Sequence, residues 1–114
     1  MPTKPKPTKL NQLQRKTLIL LQKLAVHAES SLKIEGSEDV QITRLPHAHG
    51  NHMHVGDYVV ASKDASGLSN KSVWIALSRK GLVRENWEEE IVITAEGLAF
   101  STGLEDKFMN VSDH

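Results

Sequence analysis

The strongest pattern in the chain lies in residues 67–100, GLSNKSVWIALSRKGLVRENWEEEIVITAEGLAF. Three apolar residues, Val73, Trp74 and Leu77, have the three- and four-residue spacing of one helix face. Gly81 follows them as a signal for the end of a helix. The spacing predicts a helix over residues 69–80 with Ser69 as its N-cap. Two short strands are predicted next, at residues 82–85 and 90–94, joined by the turn ENWEEE.

This segment resembles the C-terminal half of winged-helix transcription regulators, including those of the multiple-antibiotic-resistance type. In that family a recognition helix ends in a Gly-Leu-Val-like turn, a two-stranded wing follows, and the second wing strand enters a Thr-x-x-Gly helix start. The corresponding elements here are the helix 69–80, Gly81-Leu82-Val83, the ENWEEE turn and Thr94-Ala95-Glu96-Gly97. The resemblance covers residues 66–100 and implies a winged-helix fold and a DNA-binding regulator.

The resemblance also implies which side chains contact duplex DNA, since the first turns of a helix in the major groove reach base edges. The residues nearest the bases would be Ser69, Asn70, Lys71 and Ser72, and the phosphate contacts would be Arg79, Lys80 and Arg84. Two features depart from the family pattern. The wing turn carries four glutamates, which repel phosphate, and residues 57–65 have strand character where a helix should precede the recognition helix.

Leucines at helical spacing predict a long N-terminal helix over residues 9–29, with Thr8 as its N-cap. Further apolar residues widen its apolar surface beyond one stripe; they are Leu18, Ile19 and Val26. A second partner could cover this surface, so we expect a homodimer through the helix. Residues 1–8, MPTKPKPT, hold three prolines and predict a disordered basic tail.

The net charge of zero conceals an asymmetry along the chain, which has 14 basic and 14 acidic residues. Residues 1–23 contain six basic residues and no acid, so residues 24–114 carry a net charge of minus six. Such a basic arm could contact phosphate or the acidic body of a partner copy, and Lys4, Lys6 and Lys9 are the candidate DNA contacts within it. The alternative is a solubilising tail followed by the solvated face of a helix.

Four of the six histidines lie within eight residues; they are His47, His49, His52 and His54. Gly50-Asn51 between them is a two-residue hairpin turn signal, which sets His49 opposite His52 and all four imidazoles on one face. Imidazole ligands suit Zn, Ni or Cu, and the alternative is a solvated hairpin that binds no metal. Continued outward, the same register pairs Ile42 with Val59 and Arg44 with Asp57.

These patterns predict the α+β class: a small winged-helix-like domain with a long N-terminal helix, a β-hairpin, a second helix and a two-stranded wing. We expect one domain over residues 9–102 and a frayed acidic tail over residues 103–114.

The absence of cysteine excludes a disulfide scaffold and a thiolate zinc site. Without a membrane-length apolar run or a signal-peptide pattern, we expect a cytoplasmic protein with no membrane partner. Phosphate-binding glycine loops and a nucleophile elbow are missing from the sequence, so we expect no enzyme.

The predicted function is that of a DNA-binding, winged-helix-like transcriptional regulator, dimeric through its first helix. The alternative is a non-enzymatic protein-interaction or small metal-binding module with a His-rich hairpin and no nucleic-acid role. The two differ at the surface of residues 69–84, which must attract phosphate in the first and need not do so in the second.

Overall fold

The first helix, α1, spans Gln12–Ala25 in the computed structural model, which describes residues 9–104 and the backbone of residues 109–111. It begins at a capping box: the Asn11 side chain accepts from the backbone N–H of Gln14 at 2.8 Å, and the Gln14 side chain accepts from that of Asn11 at 3.0 Å. The helix therefore starts three residues later than predicted. At its other end the Ser30 hydroxyl donates to the carbonyl of Leu24, and the chain leaves the helix.

Both apolar sides of α1 are covered within this one chain. The most deeply buried of its side chains are Leu18, Ile19, Leu20, Leu21 and Leu24. Gln22 ties the helix to the end of the domain, because its Nε2 atom donates to the carbonyls of Gly97 and Phe100 at 2.8 Å each. The apolar surface on which the homodimer prediction rests is thus internal, apart from Val26, which is 74% exposed at the end of the helix.

A three-stranded antiparallel sheet packs beside α1. Its strands are β1 (Ser31–Lys33), β2 (Val40–Ile42) and β6 (Ile91–Ile93), in the order β1-β2-β6. On the far side of β6 an isolated bridge joins Val83 to Ile93, flanked by two backbone hydrogen bonds. The first strand predicted for the wing is therefore reduced to this single bridge, and turns occupy residues 85–89.

The second sheet is antiparallel, with the order β3-β4-β5-β7. Its strands are β3 (Ala48–His49), β4 (His52–Val55), β5 (Tyr58–Ala61) and β7 (Met109–Val111). The hairpin register at its centre is confirmed, because His49 pairs with His52. The predicted outward extension is wrong: Ile42 pairs with Ile91, and Val59 pairs with His54. A second tight turn at Gly56, where φ is +58°, reverses the chain. As a result β5 pairs with the edge of β4 that is opposite to β3.

The segment 57–65 contains the end of a strand and the start of a helix. After β5, a 3₁₀ helix spans Ser62–Ser69, and helix α2 spans Lys71–Arg79 with Asn70, not Ser69, as its N-cap. The strand character predicted for residues 57–65 is therefore confirmed only as far as Ala61, and a 3₁₀ helix follows. The last helix, α3, spans Ala95–Ala99 and is capped by Thr94 as predicted.

The structure describes part of the C-terminal segment of the chain but none of residues 1–8. The predicted disordered tail, residues 1–8, lies outside the described residues. Within the acidic tail, however, Met109–Val111 form β7 and pair with Tyr58–Val60 of β5, in contrast to the predicted frayed end. Among the described residues, none of the helices is long and apolar enough to cross a membrane.

The 3₁₀ helix is held against α1 by a very close approach. A Cβ atom at Gly67 would overlap Oγ1 of Thr17, whose side chain is fully buried and donates to the carbonyl of Leu13. Beside this contact Lys16 Nζ lies 2.6 Å from Asp64 Oδ1. Only glycine allows the two backbones to lie this near, so Gly67 fixes where the 3₁₀ helix rests.

The Gly67→Ala variant is expected to lose about 1–3 kcal/mol of unfolding free energy, because the added methyl group overpacks against Thr17. Urea denaturation followed by circular dichroism measures the loss, and Ser66→Ala, at an exposed neighbour, is the control. Adding Thr17→Ala removes the overlapping hydroxyl, so the double variant should be more stable than the sum of the two single losses predicts. Strictly additive losses would contradict the proposed contact.

Candidate nucleic-acid interface

Helix α2 has one buried face and one free face. Val73, Trp74 and Leu77 are buried against the core, as the spacing predicts. The polar residues that remain exposed on the helix or at its end are Lys71, Ser72, Arg79 and Lys80. The helix is thus anchored by its apolar side, and three basic side chains and a hydroxyl are exposed to solvent.

The start of α2 is fixed by polar contacts as well as by packing. Asn70 Oδ1 accepts from the backbone N–H of Ser72 at 3.0 Å, which caps the helix. Ser69 lies at the end of the 3₁₀ helix, and its hydroxyl donates to the carbonyl of Ser66 at 3.1 Å. Of the four residues predicted nearest to the bases, Ser69, Lys71 and Ser72 are exposed, whereas the side-chain oxygen of Asn70 is engaged in the cap.

The two tryptophans join α2 to the turn at residues 85–89. Trp74 Nε1 donates to the carbonyl of Leu68 at 2.9 Å, which ties α2 to the 3₁₀ helix. The ring of Trp87 stacks on that of Trp74 with the centroids 5.8 Å apart and the planes at 15°. This stacking holds the turn, and the glutamates that flank Trp87, against α2.

Arg84 differs from its predicted role as a phosphate contact. Its Nε and Nη2 atoms donate to Asp39 Oδ2 at 3.0 and 2.8 Å, while Asp39 Oδ1 accepts from the backbone N–H of Ala95 at 2.9 Å. The hydrogen bond from Arg84, followed by that from Ala95, holds the pKa of the Asp39 carboxyl below its ordinary value. Arg84 is therefore committed to a contact that joins the loop before β2, the segment before β6 and the start of α3.

The charges around α2 are divided by position. Residues 62–81 contain four basic residues and one acid, whereas the following turn holds Glu85 and Glu88–Glu90. The two sets approach one another where Lys71 Nζ lies 4.0 Å from Glu88 Oε2, with both side chains about two-thirds exposed or more. An exposed pair at this distance is weak, so Lys71 can exchange Glu88 for another anion.

Two further basic residues outside α2 are exposed. Lys63 is exposed in the first turn of the 3₁₀ helix, in the segment for which strand character was predicted. Lys9 is exposed just before α1. The other two candidates in the basic arm, Lys4 and Lys6, lie outside the described residues.

The four histidines of the hairpin are only partly brought together. His49, His52 and His54 have ring centroids 5.2–6.1 Å apart, and His47 precedes β3 without joining these ring contacts. In the part of the chain that the structure describes, no group of three or more His, Asp or Glu side chains could hold a metal ion in the side-chain positions it shows.

A comparison of the chain with models of known protein families, with curated proteins and with solved structures finds no match.

Replacing Asp39 by Asn should lower the unfolding free energy by about 1–3 kcal/mol at neutral pH, because the charge-assisted hydrogen bonds to Arg84 are lost. Glu38→Gln, an exposed neighbour with the same charge change, is the control and should have little effect. Urea denaturation of the three proteins measures both.

The same comparison has a defined pH dependence. The Asp39 pKa is lower in the folded chain than in the unfolded one, so its contribution is fully present above the unfolded-state pKa of about 3.9. It is lost as the pH falls through the folded-state pKa. The stability difference between the natural protein and Asp39→Asn should therefore shrink below about pH 4. A difference that is constant across this range would contradict the proposed contact.

Proposed function

We propose that this chain is a non-enzymatic, winged-helix-like DNA-binding domain of a cytoplasmic transcription regulator. The observation that carries the proposal is the arrangement of α2: it follows the 3₁₀ helix after one residue, buries one face in the core and leaves a basic face free. In helix-turn-helix proteins the second helix lies in the major groove with such a face toward the DNA.

Three local features support the winged-helix resemblance. Gly81 ends α2 with a φ of +73°, and the chain turns directly into the bridge between Val83 and Ile93. The Thr-x-x-Gly start of the last helix has a physical basis as well: the Thr94 hydroxyl accepts from the N–H of Gly97 at 3.0 Å and donates to the carbonyl of Gly81 at 2.6 Å. The end of α2 and the start of α3 are thereby bonded to each other.

The electrostatics favour contact through the helices and not through the turn. Lys63, Lys71, Arg79 and Lys80 are exposed, and the acid among them, Asp64, is paired with Lys16. The glutamates of the turn would repel the phosphate backbone, and Glu88 reduces the attraction at Lys71, so the proposed contacts come from the 3₁₀ helix and α2 and not from the turn. Because the apolar sides of α1 are covered internally, dimerisation through that helix is not part of the proposal.

Charge reversal on α2 tests the proposal. Lys71→Glu combined with Arg79→Glu should abolish binding to a fluorescent duplex at low ionic strength. With two cations removed, binding would neutralise fewer phosphates and release fewer counterions from the DNA. Replacing a phosphate-contacting cation reduces the slope of log affinity against log salt by about one, so any residual binding should have a slope lower by about two. Fluorescence anisotropy over a series of salt concentrations measures both quantities.

The matched control is Lys33→Glu combined with Arg44→Glu, which makes the same charge change at exposed residues on β1 and after β2. This variant should retain most of the affinity. An equal loss in both variants would show only a general charge effect, and a natural protein without salt-sensitive affinity for duplex DNA would end the proposal.

The acidic turn favours a second candidate function, a protein-interaction module. A cavity of about 340 Å³ lies beside it, lined by Trp87, Glu88–Glu90 and residues of the β2 region that include one cation, Arg44. An aromatic ring beside three carboxylates suits a basic segment of a partner protein better than it suits a nucleic acid.

Neutralising Glu88 separates the two functions. If α2 binds DNA, Glu88→Gln should raise the affinity about two- to fivefold, because it removes a repulsive charge and releases Lys71. Glu35→Gln, at an exposed loop residue, is the control and should leave the affinity nearly unchanged. Unchanged or weaker DNA binding in Glu88→Gln would favour the interaction module.

A further inference from the structure

The β3–β4 hairpin gathers three histidines on one face of the second sheet. His52 and His54 are two residues apart on β4, so their side chains point to the same side. His49 lies directly opposite His52 on β3. The ring centroids are 5.2 Å apart for His52 and His54, 5.6 Å for His49 and His54, and 6.1 Å for His49 and His52.

These separations are equal to those of three imidazoles around one ion or up to about 1 Å longer. With a metal–nitrogen distance of about 2.0–2.1 Å, each ring centroid lies about 3.2 Å from a bound ion, and tetrahedral ligands have centroids about 5 Å apart. The rings now meet edge to face or tilted, with interplanar angles of 34–82°. In these positions they do not hold an ion, so binding requires the side chains to rotate until one nitrogen of each ring faces a common point.

We propose that His49, His52 and His54 together bind one divalent transition-metal ion, with the fourth position left to solvent. Neutral imidazole selects Zn²⁺, Ni²⁺ or Cu²⁺ over Mg²⁺ and Ca²⁺, which prefer oxygen ligands. His49 and His54 are exposed and His52 is half-buried, so an ion can reach the face directly.

The backbone beneath the site is well supported. Strand β4 lies inside the sheet, paired with β3 on one edge and with β5 on the other. Two of the three ligands are therefore on a strand that is hydrogen-bonded on both sides. His47, which sequence analysis includes as a fourth ligand, precedes β3 and is not part of the proposed site.

Metal titration of the untagged full-length chain, freed of metal with a chelator, tests the proposal. Zn²⁺ is added in competition with a chromogenic indicator, and the natural protein should bind one ion per chain. His52→Ala and His49→Ala should each weaken binding at least about tenfold, because two imidazoles remain. The matched control, His47→Ala on the same hairpin, should bind as the natural protein does.

Two further measurements keep the result interpretable. Circular dichroism checks that each variant is folded, and Zn²⁺ should raise the melting temperature of the natural protein and of His47→Ala but not of His52→Ala. Electron paramagnetic resonance of the Cu²⁺ form should show nitrogen coordination that is reduced in His52→Ala.

Undiminished Zn²⁺ affinity in His52→Ala, or an equal loss in His47→Ala, would overturn the site and indicate adventitious binding by scattered histidines. The titration contains no DNA, so its failure leaves the proposed DNA-binding function untouched, and the reverse also holds.

Discussion

The contact between Gly67 and Thr17 determines how the rest of the domain is placed. With no Cβ atom at Gly67, the 3₁₀ helix lies directly on α1, and the Lys16–Asp64 ion pair fixes its rotation there. The indole N–H of Trp74 donates to the carbonyl of Leu68, which positions α2 against the 3₁₀ helix. The ring of Trp87 in turn stacks on that of Trp74. The orientation of the basic face and the position of the acidic turn therefore follow from how closely two helices approach.

Features that depend on neighbouring residues could be predicted from the sequence. The buried face of α2, the cap at Thr94 and the pairing of His49 with His52 each depend on residues within a few positions of one another. The β-forming residues of Tyr58–Ala61 also predicted a strand, but the strand is followed directly by the 3₁₀ helix, which was not predicted. Ser62–Ser69 has no apolar period that would have marked its start.

Features that join distant parts of the chain could not be predicted in this way. Because of the second hairpin turn at Gly56, Val59 of β5 pairs with His54 of β4 and not, as predicted, with Ile42 of β2. Only the folded chain shows which of these two pairings is formed. Within the candidate interface, the exposure of Lys71 and Arg79 follows from helical spacing, whereas the engagement of Arg84 does not. Its partner, Asp39, is 45 residues away, and a guanidinium group suits a carboxylate as well as a phosphate.

The central position of α1 has a consequence for the order in which the chain is made. Translation delivers this helix first, but Gln22 bonds to carbonyls 75 and 78 residues later, and the sheet strand β6 also comes late. The leucines of α1 therefore have no complete set of partners until nearly the whole domain has left the ribosome. Contacts this distant in sequence slow folding and prolong the exposure of apolar surface. Within this domain, the apolar side chains of α1 therefore wait longest for their partners during synthesis.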